Sequence, residues 1–96
     1  MKATSVRTVE RFTDIPNVGP RIARDFFLLG IREPQELKKK DAYALYKKLE
    51  RITGVHQDPC VLDTYIAVID FMNGAKARPW FSYTKERKKR YGQGRD

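Results

Sequence analysis

The sequence predicts an all-α fold: a small helical bundle over residues 1–75, followed by a basic C-terminal segment over residues 76–96. Three observations predict it. Apolar residues recur three and four apart in several windows, the period of a helix with one buried face. No window alternates apolar and polar residues for long enough to read as a strand. Proline, glycine, asparagine and aspartate fall between the periodic windows, where turns and helix ends need them.

Each element follows in order. Val6, Val9, Phe12 and Thr13 keep helical spacing, so a short first helix is expected over about 5–13. The run Asp14-Ile15-Pro16-Asn17-Val18-Gly19-Pro20 is a tight turn. Pro20 suits the first position of a new helix, where its missing N–H costs nothing. That helix is expected over about 20–29, with Ile22, Ala23, Phe26 and Leu29 on one stripe and Gly30 as a left-handed cap. Pro34-Gln35-Glu36-Leu37 reads as another helical turn. Asp41 is a good N-cap for a helix to about Thr53, striped by Ala42, Leu45, Tyr46, Leu49 and Ile52 and stopped by Gly54. Asp58 and Pro59 open the next helix, about 59–73, whose Val61, Leu62, Tyr65, Ile66, Val68, Ile69 and Met72 make it the most apolar. Asn73-Gly74 ends it, and a short helix around 85–91 completes the set.

Composition excludes several function classes. Ninety-six residues, 41% of them hydrophobic, make one globular domain. Such a chain buries about 65% of its unfolded surface, which leaves no room for separate catalytic and substrate domains. A single cysteine rules out an intramolecular disulfide and gives no pointer to an oxidising compartment. No apolar run approaches the ~18–20 residues of a membrane span, and the opening Met-Lys-Ala-Thr-Ser-Val-Arg has no signal-peptide core. A soluble, cytoplasmic protein without a membrane partner is expected. One histidine, His56, and one cysteine, Cys60, are too few for a tetrahedral zinc site. A His-based triad could draw only on His56. No catalytic residue, no metal and no enzyme activity are expected.

The charge is uneven. Residues 76–96 hold eight basic groups and two acids, whereas residues 1–75 hold twelve and ten. Lys85, Arg87, Lys88, Lys89 and Arg90 form the densest run. Such a segment attracts polyanions, with an affinity that falls steeply with salt.

The most informative segment is Ile15-Pro16-Asn17-Val18-Gly19-Pro20-Arg21-Ile22-Ala23. So short a turn between helices needs residues tolerant of positive φ, which Asn17 and Gly19 supply. Gly19 also lets another backbone come close, and Ala23 is small where the helices would cross. The start of the second helix leaves N–H groups unpaired, and with the helix dipole these make an anion site. A nucleic-acid phosphate suits it. The segment resembles the helix-hairpin-helix motif of sequence-independent DNA-binding proteins, with Gly30-Ile31 following the second helix as in that motif. Its usual turn is Gly, apolar, Gly, and here Asn17 stands for the first glycine.

A second resemblance covers about residues 12–80. It rests on residues 15–23, Leu29-Gly30-Ile31, Glu36-Leu37, Tyr43 and Tyr46 with Leu49, Asp58-Pro59-Cys60-Val61-Leu62, and Trp80. These look like the small pathogenicity-locus family, some of whose members are labelled mitomycin-resistance proteins. The layout is also similar to the C-terminal domain of bacterial competence regulators. The resemblances imply a helix-hairpin-helix, sterile-alpha-motif-like core and a bacterial origin. In related hairpins backbone carbonyls hold a monovalent cation, so the resemblance admits one here. Ile52-Thr53-Gly54-Val55 echoes Ile15-Pro16-Asn17-Val18, with His56 in the place of Gly19. It reads as a degenerate second hairpin, similar in shape and chemically blunt.

Other residues carry two readings each. Arg21 and Arg24 lie off the apolar stripe, within reach of a phosphate at the hairpin, or else on an ordinary solvated face beside Asp25. Lys38-Lys39-Lys40 precedes a helix start, where cations are mildly unfavourable, but such runs mostly serve solvation. Cys60 reads as a small core residue, and a nucleophilic role needs an exposed thiol. Trp80, Phe81 and Tyr83 either stack on bases or dock the end of the chain onto the core, and docking is the stronger reading. Leu62-Asp63-Thr64-Tyr65 faintly resembles the acidic motif of helix-hairpin-helix glycosylases, but its spacing and the chain's length exclude that activity.

The expectation is therefore a non-catalytic module that binds nucleic acid, DNA first, without reading sequence. The amides of Asn17, Val18 and Gly19, with Arg21 and Arg24, would hold backbone phosphate, and Lys85, Arg87, Lys88, Lys89 and Arg90 would add attraction. The protein would act as a monomer or a dimer. The alternative is a helical protein–protein interaction module without nucleic-acid contact, which the near-neutral charge of residues 1–75 favours.

Overall fold

The structure, a computed structural model, describes residues 2–91. These form four α-helices and four short 3-10 turns, and no strand occurs among the described residues. Helix α1 spans Pro20–Leu28, α2 Ala42–Thr53, α3 Pro59–Met72 and α4 Thr84–Tyr91. The 3-10 turns are Val6–Thr8, Phe12–Asp14, Pro34–Lys39 and Trp80–Tyr83.

The expected first helix over 5–13 does not form. Two single turns stand in its place, separated by extended backbone at Val9 and Arg11. The cause is local. The Asp14 carboxylate accepts the N–H groups of Glu10 (3.0 Å) and Arg11 (2.9 Å), so those donors leave the helical ladder. Val9 and Phe12 still reach the core.

The other helices end where their punctuation requires. Gly30 has φ 83°, and the N–H groups of Gly30 and Ile31 close α1 on the carbonyls of Phe27 (3.0 Å) and Phe26 (2.9 Å). Gly74 repeats this at the end of α3, through Gly74 to Phe71 (2.9 Å) and Ala75 to Asp70 (3.0 Å). The Asp41 carboxylate caps α2 at the Ala44 N–H, and Asp58 caps α3 at the Cys60 N–H, both at 2.9 Å.

Helix α3 is the centre of the fold, buried on nearly every face from Leu62 to Met72. Its Tyr65 ring lies 5.5 Å from Phe26 of α1, which in turn lies 5.3 Å from Phe12. Leu37 of the third 3-10 turn and Leu45, Tyr46 and Leu49 of α2 close other sides. Residues 80–91 also fold onto α3. Tyr83 is 1% exposed and Arg87 is 6% exposed, so the described part of the basic segment shares the body's core. Residues 92–96 of that segment, Arg95 included, lie outside the described residues. Among the described residues no helix is long and apolar enough to cross a membrane.

Candidate nucleic-acid interface

The turn before α1 is anchored from below. Ile15 and Val18 are fully buried, and the Val18 N–H donates to the Ile15 carbonyl at 3.1 Å. Asn17 between them has φ 75°, the one positive φ outside glycine among the described residues. This is the left-handed conformation expected of it. Gly19 differs from expectation: its φ of −99° is extended backbone that other residues adopt. No backbone comes close to it either, since a Cβ there would meet nothing within 4 Å. The space in front of Gly19 is open.

Gly19 sits at the N-cap position and supplies no capping side chain, whereas α2 and α3 are capped by aspartates. Pro20 has no N–H, and among the described residues no protein acceptor takes the N–H groups of Gly19, Arg21 or Ile22. These three donors and the helix dipole suit an anion. Of the three amides expected to serve, Val18 is excluded, because its N–H is spent inside the turn. Arg21 and Arg24 are exposed on the first turns of α1.

Lys2 is a component that helical periodicity could not reveal. The Ala3 N–H bonds to the Asp14 carbonyl at 2.7 Å, and this bond lays the N-terminal arm along the turn. The Lys2 ammonium then donates to the carbonyls of Thr13 (2.7 Å) and Val18. Loss of water pulls its pKa below the usual lysine value, with the Asp14 charge opposing. Two carbonyls of the turn, those of Thr13 and Val18, are therefore already met by a cationic group from the chain itself.

Asn17 ties the turn to the C-terminal segment. Its side-chain amide donates to the Arg78 carbonyl at 2.8 Å and accepts the Trp80 N–H at 3.0 Å. Arg78 stacks over the Tyr83 ring, 4.0 Å from its centroid, and pairs with Glu86 at 3.0 Å. Of the expected basic run, Lys85, Lys88, Lys89 and Arg90 are exposed on α4, and Arg90 approaches Glu86 at 3.3 Å and Asp70 at 3.8 Å. Arg87 faces the other way. Its Nε donates to buried Asp63 at 2.7 Å, and the second Asp63 oxygen accepts from the Thr84 hydroxyl at 2.7 Å. Arg87 is a core residue, neutralising a carboxylate in the most apolar helix, and offers no charge to a ligand. An aspartate inside so apolar a run was the available signal.

The echo at Gly54 is closed to anions. Gly54 has φ 71°, like Asn17, but Val55 is 58% exposed where Val18 is buried. The Glu50 carboxylate accepts the Gln57 N–H at 2.9 Å and lies 2.6 Å from the His56 ring. An acid already fills the place an anion would take. Lys38, Lys39 and Lys40 are exposed at the end of the third 3-10 turn. Cys60 is half-buried, and burial, seconded by Asp58, pushes its thiol pKa up. A groove of about 270 Å³ runs between α1 and α3, with Asn17, Arg21, Asp25 and Trp80 on its walls.

A family model described as pathogenicity locus matches residues 5–89. The chain is also similar to a curated protein of Streptomyces lavendulae called mitomycin resistance protein McrB. The two are 41% identical over 85 residues, 88% of this chain and 81% of that protein. No solved structure matches.

Proposed function

The chain belongs to the pathogenicity-locus family, and within that family we propose that it is a non-catalytic protein that binds nucleic acid, DNA first, through backbone phosphate. One observation carries the reading: the uncapped start of α1, where the N–H groups of Gly19, Arg21 and Ile22 have no acceptor among the described residues. Arg21 and Arg24 supply charge beside it, and Lys2 brings a further cation to the turn. In this reading residues 12–28 are a helix-hairpin-helix unit whose first helix has shrunk to one 3-10 turn. Phosphate contacts position a protein without reading bases, so binding is sequence-independent. Lys85, Lys88 and Lys89 add long-range attraction. The raised thiol pKa of Cys60 speaks against a nucleophile there. The protein works in the bacterial cytoplasm, where such a partner is found. A role at DNA is one route by which a small protein contributes to resistance of the kind for which its Streptomyces relative is named.

Fluorescence anisotropy with labelled duplex DNA across a salt series tests this. The Gly19→Asp, Arg21→Glu double change places acid at the helix start and should weaken binding at least about tenfold, a hydrogen bond to a charged group being worth roughly 1.5–3 kcal/mol. Replacing Lys85, Lys88 and Lys89 by Gln should flatten the slope of log affinity against log salt by up to about 2.7. A deletion is the wrong control, since it would remove Tyr83 from the core. Full binding by the double variant would refute the phosphate site. It would favour a protein partner on α1, where Phe27 and Leu28 are 61% and 50% exposed.

A further inference from the structure

We propose that the groove between α1 and α3 receives one unpaired nucleobase, stacked on Trp80 and donating an N–H edge to Asp25, while the strand's phosphate lies at the start of α1. This inference rests on the phosphate reading above and names the form of nucleic acid that the same site prefers.

The groove begins at the phosphate site, because Arg21 belongs to both. Ile22 and Val61 give it an apolar lining, and Trp80 gives it an aromatic one. The position of Trp80 is fixed at the main chain: its backbone N–H donates to the Asn17 side-chain oxygen at 3.0 Å, and the Phe81 ring lies edge-to-face with the indole, centroids 5.7 Å apart. Trp80 is nevertheless 37% exposed, and it lines the groove. At about 270 Å³ the groove is smaller than the ~300–1,000 Å³ pockets that enclose drug-sized ligands, and it suits a fragment such as one base.

Charge decides which part of a nucleotide enters. Asp25 lies in the groove, half-buried, and its carboxylate accepts no hydrogen bond from the described residues. Burial pushes its pKa up, with Arg21 and Arg24 opposing. A carboxylate repels phosphate and accepts N–H groups, as it does from the cytosine amine. Arg21 and Asp25 both line the groove; Arg21, next to the free helix N–H groups, is exposed, and Asp25, one turn further along α1, is half-buried. Phosphate outside and base inside is the complementary arrangement. Paired bases do not reach it, since a base must leave its stack to enter a pocket.

Trp80 is the single tryptophan of the sequence, so its fluorescence reports the groove directly. The full chain is titrated with a single-stranded deoxycytidine oligonucleotide and with an abasic oligonucleotide of equal length. The base-bearing strand should quench Trp80 and bind about tenfold more tightly, in keeping with base–aromatic stacking. Trp80→Ala should erase the difference between the two strands, and Trp80→Phe should keep it. Equal affinities with unchanged Trp80 fluorescence overturn the groove proposal. If the Gly19→Asp, Arg21→Glu change still weakens both strands in that case, the phosphate site stands alone. If neither strand nor duplex binds, the phosphate reading falls and the groove proposal falls with it.

Discussion

Asn17 does two things, and only one of them can be read from sequence. Its left-handed backbone was legible, because a turn between Pro16 and Pro20 needs such a residue and Asn tolerates the region. Its side-chain bonds to Arg78 and Trp80 were not legible, because their partners are 61 and 63 residues away. The bonds give asparagine a purpose at this position that glycine could not serve. Asn17→Gly keeps the backbone conformation free and removes both bonds, so it should cost roughly 1–2 kcal/mol of unfolding free energy. Asn17→Ala adds left-handed strain of about 1 kcal/mol or more. Urea titration of the two variants separates the terms: equal losses would mean that Asn17 serves only as a side-chain staple. Lys2 belongs to the same class of residue. A lone basic residue near the start of a chain carries no periodic signal, yet it reaches the carbonyls of Thr13 and Val18.

At the scale of elements, helices with strong periodicity and caps were legible almost to the residue. The Asp41 and Asp58 caps and the Gly30, Gly54 and Gly74 ends all stand where the pattern put them. The absence of a helix over 5–13 was not legible, because Val6, Val9 and Phe12 keep helical spacing while Asp14 competes for the N–H groups that a helix would need. Helix α4 was legible, but one residue in it was misread. Its basic run looks like a uniform charged face, and one residue in it, Arg87, is core. Removing one partner of a buried ion pair strands the other charge, at a cost of roughly 3–5 kcal/mol. Arg87→Met should therefore unfold at markedly lower denaturant, while Lys88→Gln, on the exposed face, should be neutral. Asp63→Leu combined with Arg87→Met should recover much of the loss, because no charge then remains buried. A double variant as unstable as Arg87→Met would show that packing, and not the stranded carboxylate, sets the cost.

For the whole molecule, the formal charge of +8 and the hydrogen-bonded carboxylates act in the same direction as the medium is acidified. Backbone N–H groups of Arg11 and Glu10 hold the Asp14 pKa below the ordinary aspartate value, and the Cys60 N–H does the same for Asp58. Burial raises Glu50, but Lys47 and the Gln57 N–H outweigh it and leave a net lowering. Folded pKa values below the unfolded ones mean stability that is present above the unfolded value, about 4 for carboxylates. It is lost as pH falls through the folded values. Protonation also raises the net positive charge, and self-repulsion adds to the loss. The melting temperature should thus hold level from about pH 7 to 5 and drop below about pH 4. Salt separates the two causes. At 1 M the Debye length is about 3 Å, so repulsion between α4 and the rest of the molecule is screened while the cap bonds are not. Part of the acid drop should survive in high salt, and Asp58→Asn, which caps α3 without titrating, should make that remainder smaller. If high salt abolishes the whole drop, the caps contribute nothing and the acid sensitivity is a property of net charge alone.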